Sequence, residues 1–145
     1  MSASAKVRLA NDRDVDAMLA FDPIAASSAE RVTLLKASAA RGHCWVTEAG
    51  QEIIAFAILD RSFFGQSFIP LVVVREDHRR RGHAMMLVRH LETQCTSGKL
   101  FTSTNQSNDP MRRLLVRLGY VETGSINGLD EGDPEIIYLK RLRAR

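Results

Sequence analysis

Residues 68–95 read FIPLVVVREDHRRRGHAMMLVRHLETQC. Phe68, Ile69, Leu71, Val72, Val73 and Val74 are β-branched, aromatic or aliphatic in one short block, the pattern of a strand buried on both faces. The chemistry then changes within a few residues. Arg75 to His83 is basic and contains a glycine, and beyond it Ala84, Leu87, Val88, Leu91 and Cys95 recur at helical spacing, with Arg89, Glu92 and Thr93 on the opposite side. A glycine at a strand-to-helix turn lets backbone approach a ligand, and the first amides of the helix have no acceptor within it. With Arg79, Arg80 and Arg81 alongside, such a turn offers a phosphate or pyrophosphate backbone donors, the positive end of the helix dipole and guanidinium groups. A solvated basic loop is the plain alternative, and a short glycine motif alone does not decide between them.

Arg79-Arg80-Arg81-Gly82-His83-Ala84 matches the pattern Arg/Gln-x-x-Gly-x-Gly/Ala, and at these residues the chain resembles the GNAT acyltransferases, in which this turn holds the pyrophosphate of acetyl-coenzyme A. A second segment is similar too. Asn108, Leu114, Leu115, Leu118, Gly119 and Tyr120 follow the family's Asn-x-x-Ala-x-x-Leu-Tyr-x-x-x-Gly-Phe with two departures. Met111 replaces the small residue, and Leu115 stands where many members carry tyrosine. Two motifs in the right order are more specific than either alone, and the expected order of elements extends the resemblance over nearly the whole chain.

At 145 residues and 45% hydrophobic composition, the chain is long enough for one well-cored domain, read as residues 1–145. The net charge of +3 comes from Arg79 to Arg81 and from Lys140, Arg141, Arg143 and Arg145, so a local phosphate site and a basic tail account for it without nucleic acid. Cys44 and Cys95 are far apart and lack metal-ligand spacing, which argues against a disulfide and against zinc. The amino-terminal residues lack an apolar signal core and no run is long and uncharged enough to span a bilayer, so the expected compartment is the cytoplasm, with no membrane partner.

On the amino-terminal side, Lys6 to Leu9 reads as a strand, and Asn11 or Asp12 caps a helix with Val15, Met18 and Leu19 on its apolar face. Asp22-Pro23 breaks it. Ser27 with Glu30 is a capping-box pattern opening a second helix, closed by Gly42. Cys44 to Thr47 and Ile53 to Leu59 form a hairpin around Ala49-Gly50-Gln51, and Gly65-Gln66-Ser67 turns the chain into the Phe68 strand. After Val74 come a helix over 84–95, a strand over 99–103 and a helix over 109–118, a βαβα pattern that favours parallel pairing. Asn108, Pro110 and Gly119 frame the last helix as cap, first-turn proline and terminal glycine. Tyr120 to Ile126 and Glu135 to Leu139 are strands joined by a loop rich in turn residues and carboxylates. Pro70 cannot donate to a ladder, so it either begins its strand or sits at a bulge.

The resemblance implies an α/β fold with a mixed, twisted sheet of six to seven strands flanked by four helices, with the strand at 68–75 bulged and splayed so that its free backbone groups bind the pantetheine arm. It implies acetyl-coenzyme A as donor and an N-acetyltransferase acting on a primary amine of a small molecule or peptide. The cofactor-binding residues it assigns are Val72, Val73, Val74, Arg79, Arg80, Arg81, Gly82, His83, Ala84 and Asn108. Such transfer needs a neutral amine, donors for the developing oxyanion, and a proton for the departing thiolate. Leu115 has no acidic proton, leaving Ser107 or water, and Asp60, His43 and Glu48 sit near strand ends without any of them being assigned as base. Homodimers are common in the resembled family.

Two alternatives remain. One is a coenzyme A-binding sensor without catalysis, which the missing tyrosine keeps open. The other is a nucleic-acid-binding module, against which stands the lack of a basic stripe with interleaved aromatics. The acidic loop Asp130-Glu131-Gly132-Asp133-Pro134-Glu135 is either a solvated turn or a steering surface for a cationic acceptor.

Overall fold

The structure, a computed structural model, describes residues 4–143. The strands are Ala5–Leu9 (β1), Cys44–Ala49 (β2), Glu52–Phe63 (β3), Gln66–Val74 (β4), Lys99–Asn105 (β5), Val121–Ile126 (β6) and Glu135–Arg141 (β7), and the helices are Val15–Phe21 (α1), Ala29–Ala40 (α2), His83–Gln94 (α3) and Asp109–Arg117 (α4). The strands form one sheet in the order β1-β2-β3-β4-β5-β7-β6. It is mixed, as the sequence predicts: β1 with β2, β2 with β3, β5 with β7 and β6 with β7 are antiparallel, and β4 with β5 is parallel. The chain divides into two compact units. One comprises the residues up to Leu59 together with Leu71–Leu91, the other Asp60–Pro70 together with the chain from Glu92 onward. The division falls inside β4, directly after Pro70.

In the first unit, Val15 and Met18 of α1, Leu35 of α2, Val46 of β2, Phe56 of β3 and Val73 of β4 share one buried cluster. Asn11 caps as expected, accepting from the Arg13 amide at 2.9 Å while its own amide donates to Asp14 at 2.8 Å, although the first turn it opens is a 3-10 turn over Asp12–Asp14. The cap of α2 lies one residue later than expected. Asp22 Oδ1 accepts from the amides of both Ile24 and Ala25, which draws Ala25–Ser27 into a 3-10 turn, so extended Ser28 is the residue whose hydroxyl accepts from the Arg31 amide.

In the second unit, the β3–β4 turn is Phe64-Gly65, with φ of 51° and 71°, rather than Gly65-Gln66-Ser67. Two consecutive left-handed residues match the right-handed twist of the flanking strands, and glycine takes only the second of the two positions. The registered pairs of β4 with β5 are Phe68 with Phe101 and Ile69 with Thr102, immediately before Pro70. Asn108 caps α4 by accepting from the Met111 amide at 3.3 Å, and Gly119 follows it at φ 93°. Glu92, expected on the solvent side of its helix, is half-buried. Its carboxylate accepts from the Tyr120 hydroxyl at 2.9 Å and from Lys140 Nζ at 3.0 Å.

Candidate active site

The strand-to-helix turn is built from its local residues. The Arg75 amide donates to the Ile54 carbonyl at 2.8 Å, tying the end of β4 to β3, and the Arg75 guanidinium grips Asp77 through Nε at 2.7 Å and Nη2 at 3.1 Å. Asp77 also meets His78 Nδ1 at 2.9 Å. These contacts, Arg75 first, hold the Asp77 carboxyl well below the usual carboxylate range. Arg79 folds back to donate through Nε to the Val74 carbonyl at 3.3 Å. Arg80 and Gly82 then adopt left-handed φ of 65° and 83°, which reverses the chain into α3.

Gly82 acts as the first acceptor of that helix, taking the Met86 amide at 3.0 Å. The amides of His83, Ala84 and Met85 therefore precede any intrahelical partner, and they lie at the positive end of the helix dipole. A Cβ placed on Gly82 would meet no atom within 4 Å, so the position needs glycine for its backbone angle and keeps open space beside it. Arg79, Arg80 and Arg81 are exposed around this space. His83 lies 6.2 Å, ring to ring, from His78. Burial, then the neighbouring His78 and Arg81, lowers the His83 pKa, so its ring is neutral at pH 7 and the cationic character of the turn comes from the arginines. A turn with exposed guanidinium groups, first-turn amides and an unfilled space at a left-handed glycine suits a pyrophosphate.

The structure thus brings Val72, Val73, Val74 and Arg79 to Ala84 together in one unit, with Val73 buried. Asn108 belongs to the other unit, where its carboxamide oxygen caps α4. Two of the residues considered as proton carriers, Asp60 and Glu48, are engaged elsewhere. Asp60 Oδ1 accepts from both the amide and the hydroxyl of Ser62, and Glu48 is held by Arg8 at 3.4 Å and Lys6 at 3.7 Å. Leu115 has no solvent-exposed surface. Of the two buried tyrosine hydroxyls, that of Tyr120 donates its hydrogen to Glu92, whereas that of Tyr138 accepts from Arg112 at 3.1 Å.

One feature of the first unit has no sequence signal beyond Arg75. A cleft of about 520 Å³ is lined by charged Arg8, Asp14, Glu48 and Arg75 together with Ala17 and Phe21 of α1. Its charges are already internally matched, with Arg8 donating to both oxygens of Asp14 at 2.8 and 3.0 Å. Among the described residues no group of three or more His, Cys, Asp and Glu side chains could hold a metal ion, and no helix is long and apolar enough to cross a membrane.

Residues 13–120 match the family model described as the Acetyltransferase (GNAT) family. The chain belongs to the GNAT acetyltransferases. It is therefore an acyltransferase, and acetyl-coenzyme A is its acetyl donor. A comparison with curated protein sequences finds no match. Among solved structures, a GNAT-family acetyltransferase from Bacillus cereus ATCC 10987 is 31% identical, with a TM-score of 0.88 over 97% of this chain and 99% of that one. The Salmonella typhimurium protein yncA, solved with its cofactor acetyl-CoA, has a TM-score of 0.77 at 15% identity over 97% and 95% of the two chains. Diaminobutyrate acetyltransferase EctA from Paenibacillus lautus, solved with L-2,4-diaminobutyric acid and coenzyme A, has a TM-score of 0.74 at 21% identity over 94% and 95%. At those lower identities the likeness is one of fold.

Proposed function

We propose that this GNAT acetyltransferase is an N-acetyltransferase that moves acetyl to a primary amine of a small molecule or peptide, as one catalytic domain covering residues 1–145. The observation that carries the site is the turn from Arg79 to Ala84, where left-handed Arg80 and Gly82 present three exposed guanidinium groups and the first amides of α3 around one open space. When bound, acetyl-coenzyme A supplies the acetyl group as an activated thioester.

The chain's own residues are assigned as follows. Arg79, Arg80 and Arg81, with the amides of Gly82, His83 and Ala84, hold the pyrophosphate. Val72, Val73 and Val74 offer backbone groups to the arm and donors to the reacting carbonyl. Asn108 contacts the cofactor while continuing to cap α4. The acceptor nitrogen reacts as the neutral amine. Because Leu115 has no proton to give and the Tyr120 hydroxyl hydrogen is committed to Glu92, the thiolate takes its proton from water. The free, buried thiols of Cys44 and Cys95 support a reducing compartment, the cytoplasm.

Calorimetry with acetyl-coenzyme A and coenzyme A tests the site, and a panel of amines with a free-thiol readout tests the reaction. Binding of both cofactors, with thiol release dependent on a primary amine, is the expected result. No binding at millimolar cofactor would end the site assignment, and thiol release with alcohols but not amines would end the choice of acceptor.

A further inference from the structure

The cleft of about 520 Å³ in the first unit has a volume within the range of small-molecule sites. Its lining is of two kinds. The guanidinium groups of Arg8, Arg13 and Arg75 are balanced by the carboxylates of Asp14, Glu48 and Glu52, so the charges sum to zero. Ala17, Ala20 and Phe21 of α1 and Ile53 of β3 supply apolar surface.

Part of this charge is not committed within the protein. Arg8 and Asp14 engage one another through bonds of 2.8 and 3.0 Å, and the Asn11 amide adds a third bond to Asp14 at 2.8 Å. Arg13 is exposed, and its guanidinium has no hydrogen bond or ion pair among the described residues. Arg75 commits Nε and Nη2 to Asp77, at 2.7 and 3.1 Å, and its Nη1 has no partner among those residues. Glu48 meets Arg8 and Lys6 through Oε2, at 3.4 and 3.7 Å, which leaves Oε1. Exposed Glu52 has only a long contact, 3.4 Å to Arg75 Nη2. The cleft thus keeps two cationic donors and two carboxylate acceptors beside an apolar surface.

We propose that this cleft is an effector site for a zwitterion of amino-acid or dipeptide size with an apolar side chain. Arg13 and Arg75 Nη1 take its carboxylate, Glu48 Oε1 and Glu52 its ammonium, and Ala17, Ala20, Phe21 and Ile53 its side chain. A ligand of one sign only would be repelled by half of the charged lining. The same lining makes the ligand an effector and not an acceptor. Carboxylates beside an ammonium favour its charged form, and a protonated nitrogen has no lone pair with which to attack a thioester.

Arg75 joins the cleft to the cofactor turn. Its Nε and Nη2 hold Asp77 in the 3-10 turn Glu76–His78, directly before Arg79. A ligand carboxylate on Nη1 fixes the guanidinium that grips Asp77, so the turn is already ordered when coenzyme A arrives and the cofactor binds more tightly. This coupling rests on the pyrophosphate reading of Arg79 to Ala84, and the zwitterion site does not.

Calorimetry of the full chain with leucine, phenylalanine, N-acetylleucine and leucinamide, without cofactor, tests the site. The two zwitterions should bind by about 10 mM, and each derivative, lacking one charge, at least about tenfold more weakly. Arg13→Gln, Glu52→Gln and Ala20→Trp, all at exposed positions, should weaken leucine to the same degree and leave the affinity for coenzyme A alone unchanged. Saturating leucine should tighten coenzyme A about fivefold and slow hydrogen exchange of the amides of residues 76–84. In Arg75→Lys that gain should vanish, because one ammonium lacks the fork that serves two carboxylates at once. Zwitterions that fail to bind, or derivatives that bind as well, overturn the site. Unaltered coenzyme A affinity overturns its effector role, as does acetylation of leucine that Arg13→Gln abolishes, which would make the cleft the acceptor site. Leucine that binds while coenzyme A does not supports the zwitterion site and sinks the assignment of the turn instead.

Discussion

Ser107 donates its hydroxyl hydrogen to Asp133 Oδ2 at 2.6 Å, and its backbone amide donates to Oδ1 of the same carboxylate at 3.0 Å. A hydroxyl committed in this way to a carboxylate is a poor source of a proton for a departing thiolate, which is why water is assigned that part. The same bonds make Asp133 a clamp between the β6–β7 loop and the residue before the cap of α4. Its neighbours behave alike, Asp130 accepting from Asn105 and Glu135 from the Ser103 hydroxyl at 2.7 Å. Most of the loop's carboxylates thus have structural partners, which leaves exposed Glu131 as the carboxylate on which to test whether the loop steers a cationic acceptor.

Replacing Asp133 by alanine should therefore lower stability by about 1–2 kcal/mol, the loss of charge-assisted bonds discounted for partial exposure. Any change in turnover should be equal for cationic and neutral amines. Glu131→Gln should leave the melting temperature unchanged, and if the loop steers, it should raise the Michaelis constant for cationic amines only, an effect removed by salt. Thermal melts and paired acceptor assays at low and high salt separate the two roles. A charge-selective effect from Asp133→Ala would contradict the clamp.

Gly82 gives a second test. Because its φ is 83° and the space beside it is open, Gly82→Ala and Gly82→Val should cost similar stability, about 1–3 kcal/mol for a left-handed non-glycine residue. Both should weaken coenzyme A by at least about tenfold, or about 1.4 kcal/mol. Calorimetry on the two variants checks this. An alanine variant that binds as wild type would show that backbone angle is not what the turn needs from glycine.

The sheet, the four helices and the basic turn were legible because each rests on local pattern: the Val72–Val74 run, the helical spacing from Ala84 to Cys95, and the Asn108, Pro110 and Gly119 punctuation. What escaped was set by partners distant in sequence or by competing turns. Glu92 reads as solvent-facing on its own helix, and only the approach of Tyr120 and Lys140 shows that it collects a hydroxyl and an ammonium. Ser27 with Glu30 satisfies the capping-box pattern, yet Asp22 claims the preceding amides and moves the cap to Ser28. Phe64 in a left-handed turn breaks the preference for glycine or asparagine, so the β3–β4 reversal reads one residue too late. The acidic loop looked like surface because its partners Asn105 and Ser107 lie on the far side of α4 and β6 in the chain.

The single tryptophan, Trp45, lies 4.7 Å, ring to ring, from His90. Burial lowers the His90 pKa below its ordinary value of about 6.5. Protonated imidazole quenches a neighbouring indole, so Trp45 fluorescence should fall with a midpoint below pH 6.5, and His90→Gln should remove the transition. Stability follows the same group and His83. As pH falls below about 6.5 the unfolded chain binds protons that the folded chain does not, so stability drops through that window and levels off once the folded histidines are also charged. A fluorescence midpoint above 6.5, or stability that rises on acidification through the window, would contradict the burial of these rings.

Leu115 is the position at which many GNAT members carry tyrosine, and here it has no exposed surface. Restoring the tyrosine has two separable consequences. The larger ring and its hydroxyl enter a site packed for leucine, which overpacks the core at a cost of about 1–3 kcal/mol. Its phenol is also withdrawn from water, and where it finds no acceptor an unmade hydrogen bond adds a penalty of about 1–3 kcal/mol. Leu115→Tyr should therefore lower the melting temperature, while Leu115→Met, close in volume, should cost less than about 1.5 kcal/mol. Turnover per folded molecule should not rise with the tyrosine, because a water-supplied proton does not depend on this side chain. Melts combined with single-turnover thiol release at matched folded fraction distinguish the outcomes. An increase in the chemical step for Leu115→Tyr would show that the proton, not packing, is what this position withholds.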